Sequence, residues 1–225
     1  MAGTESIDTL ERCEVFASLP REDLSEIAGL CRSVTVAAGG LLFREDDQAD
    51  CLYVISFGRV KVLKHSSNGK ELIIGFLGEG DMVGEVAAFQ NSRYPASAEA
   101  VEDSCLLRLG SSEFVALVSR RPAIALRVIG VLNERLRMAH DRLRDSTTER
   151  ASRRIARLLL MLWRKMGSTL PFSKEELGQM SGLTTETVIR ELGELAATGV
   201  VRSSRRQLRI IDVEKLVALS ESGSA

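Results

Sequence analysis

Apolar and polar positions change their rhythm twice along the chain, and the two changes divide it into three stretches. Residues 5–31 hold two short amphipathic segments broken at Leu19-Pro20, with Leu10, Val15, Phe16 and Leu19, then Leu24, Ile27 and Leu30, as the core-facing positions. From Ser33 to Leu109 the texture becomes short apolar runs separated by Gly, Asn and Asp turns. These runs are VTVA (34–37), LLF (41–43), CLYVI (51–55), RVKVL (59–63), ELIIGFL (71–77), ASAEAV (96–101) and SCLLRL (104–109). Val60 and Val62 alternate with polar neighbours as a half-buried strand does, and Asn68-Gly69 is a hairpin-turn signal between two runs. Short strands at this spacing predict a small β-barrel or jelly roll.

Ser111-Ser112-Glu113 starts a short helix, and Pro122 opens a longer one. Within it Ile129, Leu132, Leu136, Ala139 and Leu143 repeat at alternating three- and four-residue steps, the seam of a coiled coil. Arg135, Arg137, Asp141, Arg142 and Arg144 are expected on the opposite face. A narrow stripe on a long, otherwise charged helix predicts a homodimer seam more than packing on the helix's own barrel. Asp145-Ser146-Thr147-Thr148 interrupts the pattern and is the expected hinge between domains.

Beyond it, Ile155 to Trp163 reads as a strongly apolar helix, and the loop 167–171 leads into FSKEELGQMSGLTTETVIRELGELAATG (172–199). Ser173 with Glu176 three residues on is a capping box. Leu177 and Met180 give one apolar face, Gly178 allows close packing, and Gly182 can take the positive φ that ends the helix. Thr184 can cap a second helix running through Val188 and Leu192 to Leu195. This is helix-turn-helix spacing, whose second helix enters the DNA major groove. VVR (200–202), the turn SSRRQ (203–207) and LRII (208–211) then form a short hairpin, or wing, with Arg202, Arg205 and Arg206 placed for phosphates.

Charge sharpens this division. The net charge of −1 conceals 17 Lys/Arg against 22 Asp/Glu in residues 1–147 and 13 against 9 in residues 148–225. A mildly basic C-terminal part behind an acidic one suits local nucleic-acid contact. With 44% hydrophobic and 27% charged residues, the 225-residue chain has material for two ordinary soluble domains. The N-terminus has acids and polar residues where a signal peptide needs a positive start and an apolar core, so none is expected, and no apolar run nears the roughly 18 residues of a membrane span. Cys13, Cys31, Cys51 and Cys105 are widely spaced, as reduced thiols are. A cytoplasmic protein without membrane contact is expected.

In the order β-barrel, long helix, hinge and winged helix-turn-helix, the chain resembles the cyclic-AMP receptor protein/FNR family of bacterial transcription regulators over essentially its whole length. The motifs that carry the resemblance are GFLGEGDMVGEVAAF (75–89), RRIARLLL (153–160) and LGQMSGLTTETVIREL (177–192). It implies an α+β chain: an N-terminal cyclic-nucleotide-binding-like β-jelly-roll sensor (1–120), a dimerisation helix with its hinge (121–147), and a C-terminal winged helix-turn-helix (148–225). It implies no enzyme, a homodimer on palindromic double-stranded DNA, and RNA polymerase as partner. An enzyme reading finds two histidines, no P-loop, no metal-spaced cluster and no nucleophile motif.

Carried over by position, Glu186 and Arg190 are the base readers, with Thr185 and Ile189 on the same face. A carboxylate accepts from cytosine N4, and a guanidinium bonds guanine O6 and N7 together. Ser173, Thr184 and Thr187 join the wing arginines as phosphate contacts. Glu191 stands where the motif usually has an apolar residue, so Leu192 and Leu195 must carry the packing.

The family's nucleotide pocket needs Gly-Glu for the ribose and an Arg-Ser or Arg-Thr for the phosphate. Gly84-Glu85 is present, followed by Val86, but the clamp position holds Tyr94-Pro95, with Arg93 one residue early. A one-residue slip turns a strand side chain to the other face, so cyclic AMP is not the expected effector. That places the chain in the FNR-like branch that does not take cyclic nucleotides. Cys13 stands alone where an iron–sulfur cluster needs several N-terminal cysteines, and Cys51 and Cys105 read as small core residues. The resemblance implies as a further signal a haem that senses a diatomic gas, as in the family's gas sensors, or another small molecule, with His140 as the expected axial ligand of a haem and Leu136 beside it. His65 is expected to be exposed beside the hairpin turn. Two alternatives stay open at this point: a cyclic-nucleotide-responsive regulator, and an interaction protein whose helix-turn-helix does not bind DNA.

Overall fold

The computed structural model describes residues 2–65, 71–148, 151–204 and 207–221. It divides into two compact units, Met1–Arg135 and Leu136–Ala225.

The first unit begins with helices α1 (Ala2–Arg12) and α2 (Arg21–Leu30). Eight strands follow: β1 (Arg32–Val36), β2 (Leu41–Phe43), β3 (Cys51–Phe57), β4 (Val60–His65), β5 (Glu71–Leu77), β6 (Met82–Val83), β7 (Ser97–Ala100) and β8 (Ser104–Gly110). Helix α3 (Glu85–Gln90) lies between β6 and β7, and α4 (Ser111–Arg120) and α5 (Pro122–Thr148) come after β8. The strands make two antiparallel four-stranded sheets, ordered β1-β8-β3-β6 and β2-β7-β4-β5. All seven apolar runs become strands. The pair β4–β5 closes at His65↔Glu71, while Asn68-Gly69 and the His65 side chain lie outside the described residues.

Strand β3 is buried on both faces, and each face belongs to a different core. Cys51, Tyr53 and Ile55 point into the barrel with Phe43, Val60, Val83, Tyr94 and Leu106. Leu52 and Val54 point outward onto a helical layer containing Leu10, Phe16, Leu24, Ile27, Phe114, Leu117 and Ile124. Of the expected core positions, Leu19 is only partly buried and Leu30 is 39% exposed. Leu30 is the last residue of α2, just before the chain enters β1.

Helix α5 differs from expectation in two ways. Asp145–Thr148 is helical, with no hinge break there. Ser, Thr and Asp cost only tenths of a kcal/mol each inside a helix, too little to end one. Arg135 does not lie on a solvated face but reaches back into the barrel unit, where it pairs with Glu85. The helix also carries two apolar stripes. Ile124, Ala125, Val128 and Val131 pack on the helical core, while Leu126, Ile129 and Leu136 are 71%, 53% and 53% exposed.

The second unit holds α6 (Ala151–Met166), β9 (Thr169–Leu170), α7 (Lys174–Ser181), α8 (Thr185–Ala197), β10 (Val201–Ser203), β11 (Leu208–Ile210) and α9 (Val213–Glu221). Part of the expected loop 167–171 is a strand. β9 pairs with β11, so the wing is a three-stranded sheet ordered β10-β11-β9. Its core is Ile155, Leu159, Leu162, Leu170, Leu177, Val188, Leu192, Val201, Leu208 and Leu216.

Candidate nucleic-acid interface and sensor pocket

Local chemistry sets the helix-turn-helix. Ser173 Oγ accepts from Glu176 N–H at 3.2 Å, and Glu176 Oε2 accepts from Ser173 N–H at 2.7 Å, so the capping box is closed in both directions. Gly182 ends α7 at φ +65°, and a Cβ there would stand 2.7 Å from Arg154 Nη2. Arg154, from α6, donates to the carbonyls of Ser181 and Gly182, placing a cation at the negative end of α7. No local pattern in the sequence identifies that contact. Gly178 leaves room for the turn, since a Cβ would meet Leu183 O at 2.9 Å. Thr184 Oγ1 caps α8 by accepting from Thr187 N–H at 3.2 Å.

This mounting fixes which side of α8 is presented. Val188, Glu191, Leu192 and Leu195 are buried, while Glu186, Ile189 and Arg190 are exposed and Thr185 is half-buried. Arg190 is not loose: its Nη2 donates to Glu191 Oε1 at 2.9 Å. That hydrogen bond, with the Glu191 charge and more weakly that of Glu194, raises the Arg190 pKa further.

In the wing, Arg202 is exposed and stands directly across from exposed Arg209. Like charges directly opposite each other destabilise a strand pair, so this pair is a cost that an anionic partner would relieve. Arg209 is a candidate contact the sequence reading missed; the signal available was its register with Arg202. Lys174 Nζ donates to Ser204 O at 3.1 Å and ties the start of α7 to the wing. Arg205 and Arg206 lie outside the described residues.

In the barrel, the expected pocket residues separate. Gly84 takes φ +86°, and Glu85 begins α3, 4% exposed. Arg135 Nη1 donates to Glu85 Oε1 at 2.5 Å and its Nη2 to Met82 O at 2.8 Å. Burial pushes the Glu85 carboxyl above its usual range, and the Arg135 charge pulls it part of the way back. Val86, Arg93 and Pro95 are exposed. The placement of Arg93 in a pocket is therefore corrected: its Nη1 donates outward to Asp46 O at 2.6 Å. Tyr94 faces inward instead, 2% exposed. Its ring stacks on Phe43 with centroids 3.7 Å apart, and its hydroxyl donates to Cys51 O at 2.5 Å. A Cβ on Gly84 would come within 3.1 Å of that ring, so Tyr94 occupies the space in front of the Gly-Glu pair.

Leu136 and His140 are exposed and belong to the second unit. All four cysteines are free, and burial pushes the Cys13 thiol up to about 12 and that of Cys31 to about 11. Cys51 is a core residue as expected, whereas Cys105 is only partly buried. Among the described residues no helix is long and apolar enough to cross a membrane.

A β-barrel with a Gly-Glu turn, joined by a long helix to a capped helix-turn-helix and wing, defines a transcription regulator with a helix-turn-helix DNA-binding domain. Comparison with known proteins agrees: residues 33–121 match the cyclic nucleotide-binding domain and residues 153–219 the Crp-like helix-turn-helix domain. The chain is 35% identical over 165 residues to the cyclic AMP receptor protein of Thermus thermophilus, covering 73% of this chain and 76% of that one. It is 26% identical to the CRP-like cAMP-activated global transcriptional regulator of Mycobacterium tuberculosis, over 93% of this chain and 97% of the other. The fold is that of FixK2 from Bradyrhizobium japonicum, with a TM-score of 0.77, 24% identity, and 86% and 99% of the two chains covered. The protein belongs to the Crp/Fnr family of transcription regulators and is not an enzyme.

Proposed function

We propose that the protein works as a homodimer in the cytoplasm, reading palindromic DNA through α8 under the control of a signal that is not a cyclic nucleotide. The observation that carries the DNA half is the exposed pair Glu186 and Arg190, one turn apart on a helix capped at its start and buried along its other face. Glu186 accepts from cytosine N4, Arg190 bonds a guanine, and Thr185 and Ile189 touch the neighbouring bases. Ser173, Thr184 and Thr187 contact phosphates: Ser173 accepts a capping bond and keeps its proton to donate, while the Thr184 and Thr187 hydroxyls, 3.0 Å apart, share one hydrogen bond and keep one proton between them for a phosphate. Arg202 and Arg209, with Arg205 and Arg206 between them in the sequence, supply the sequence-independent charge. The stripe of exposed Ile129 and Leu136 with half-buried Leu132 between them, together with Ala139 and, by sequence spacing, Leu143, is the dimer seam. Two-fold protein symmetry then matches a palindromic site, where RNA polymerase is the partner recruited or blocked.

The barrel half rests on Tyr94. A cyclic nucleotide needs a guanidinium for its phosphate and room beside Gly84. Here Arg93 is turned outward and the Tyr94 ring takes the room. A buried phosphate without its cation is expensive, which favours an FNR-like regulator over a cyclic-AMP-responsive one. One observation favours a haem-borne gas signal: His140 and Leu136 are both exposed, one turn apart on α5, leaving an imidazole open as axial ligand. Absence of a Soret band after haem titration would remove it.

Gel shifts on a palindrome-enriched duplex library test the DNA half. A discrete shifted species of dimer stoichiometry that resists competitor DNA is expected. No sequence-selective shift would favour the interaction-protein reading. Arg202→Ala should weaken every sequence alike and lower the salt slope by about one unit.

A further inference from the structure

Glu191 occupies a position that asks for an apolar side chain. It falls in the buried stripe of α8 with Val188, Leu192 and Leu195, and its side chain is 7% exposed. A carboxylate there is costly unless it is paired, and an apolar residue of the same volume would usually serve stability as well or better. Its partner among the described contacts is Arg190, the residue on the exposed edge of the same helix, with its own side chain 65% exposed. Adjacent residues on a helix do not face each other. The 2.9 Å contact therefore forms because the arginine folds back over the helix edge onto a carboxylate held by the core.

We infer that Glu191 is a positioning residue for DNA recognition: its buried carboxylate holds the Arg190 guanidinium in the orientation that reads a guanine. This inference rests on the assignment of Arg190 as a base reader. The donor count permits it. Nη2 carries two hydrogens, and Glu191 takes one. The other, together with Nη1, stays free for guanine O6 and N7. An unheld arginine would have to lose its rotamer freedom at the moment of binding and could satisfy a phosphate as easily as a base. A held one has lost that freedom already and is aimed. The arrangement places the specificity device one residue from the reader and on the hidden side of the helix.

The experiment uses the full-length protein and a duplex library with randomised palindromic half-sites. Wild type selects a consensus, and each single-base variant of the selected duplex is then titrated against wild type, Glu191→Leu, Glu191→Gln and Arg190→Ala. Glu191→Leu should keep its circular dichroism, its affinity for unrelated duplex and its salt slope. Its preference for the one G·C pair that Arg190 reads should fall about tenfold, with other positions unchanged. Glu191→Gln, which keeps an acceptor, should fall less.

If Glu191→Leu does not fold, the cycle with Glu191→Gln decides. The glutamine must reduce discrimination in the wild-type background and change nothing once Arg190 is alanine. Unchanged discrimination in a folded Glu191→Leu would overturn the inference. So would equal weakening at every position, which makes Glu191 structural only, or a gain in affinity, which makes it a restraint on Arg190. A wild type that selects no sequence would overturn the base-reader assignment itself and this inference with it.

Discussion

Replacing Tyr94 with alanine should destabilise the barrel unit by about 3–5 kcal/mol, the range for removing a fully buried aromatic ring. The ring is 2% exposed, lies 3.7 Å from Phe43 centroid to centroid, and would stand 3.1 Å from a Cβ placed on Gly84. Its neighbours sit on strands tied into two sheets and can close the void only in part. Tyr94→Phe removes just the hydroxyl that donates to Cys51 O and should cost about 1 kcal/mol, the net worth of one hydrogen bond. Urea unfolding separates the two units. Far-UV circular dichroism follows the whole chain, while the fluorescence of Trp163, the chain's one tryptophan and part of α6, follows the second unit alone. The barrel transition should move to lower urea while the Trp163 transition stays in place. Cyclic AMP added to Tyr94→Ala should still give no binding heat, because the space is opened without a guanidinium to hold the phosphate. A loss below about 1 kcal/mol for Tyr94→Ala would mean that the ring does not fill the barrel. Micromolar cyclic AMP binding by the unmutated protein would mean that the barrel takes a cyclic nucleotide with the Tyr94 ring in place.

Leu136→Glu, on the exposed stripe of α5, should turn a dimer into a monomer in sedimentation while leaving the barrel's unfolding unchanged; a dimer that survives it would place the seam elsewhere. Ser173→Ala opens the capping box and should cost the second unit about 1 kcal/mol, read from the Trp163 transition. Glu85 has a folded-state pKa raised by burial, so it binds its proton more tightly folded than unfolded. Its contribution is fully present below the ordinary carboxylate pKa and is lost as pH rises through the raised folded value. Glu85→Gln should remove that loss, flattening barrel stability against pH in that window; an unaltered pH profile would show that Glu85 does not titrate there.

The helix-turn-helix was legible from residues alone because its determinants are local. Ser173 and Glu176 are three apart, Gly182 sits at the turn, and Thr184 opens the next helix, each acting on backbone within a few residues. The strands were legible because apolar runs and turn residues alternate. What escaped depends on partners far away in sequence. Arg135 was read as solvated because periodicity reports where a Cβ points, not where a long side chain ends. Arg154 reaches across 28 residues to the turn, and the opposition of Arg209 to Arg202 needs the strand register. Asp145–Thr148 was read as a break although no residue there forbids a helix. Tyr94 lay between these cases. The slip of Arg93 was visible in the spacing, but that a ring would fill the vacated clamp could be learned only from packing. Glu191 was visibly out of place in an apolar stripe, and only its contact with Arg190 gave it a role.

Whether α8 reads DNA through Glu186 and Arg190 is decided by selecting duplexes from a palindromic library with wild type and with Arg190→Ala. Wild type should enrich a palindrome with a fixed G·C pair in each half-site. Arg190→Ala should lose preference at that pair alone, by about 1–3 kcal/mol. Loss of affinity spread evenly over every sequence would make Arg190 a phosphate contact, and α8 would not read bases through it.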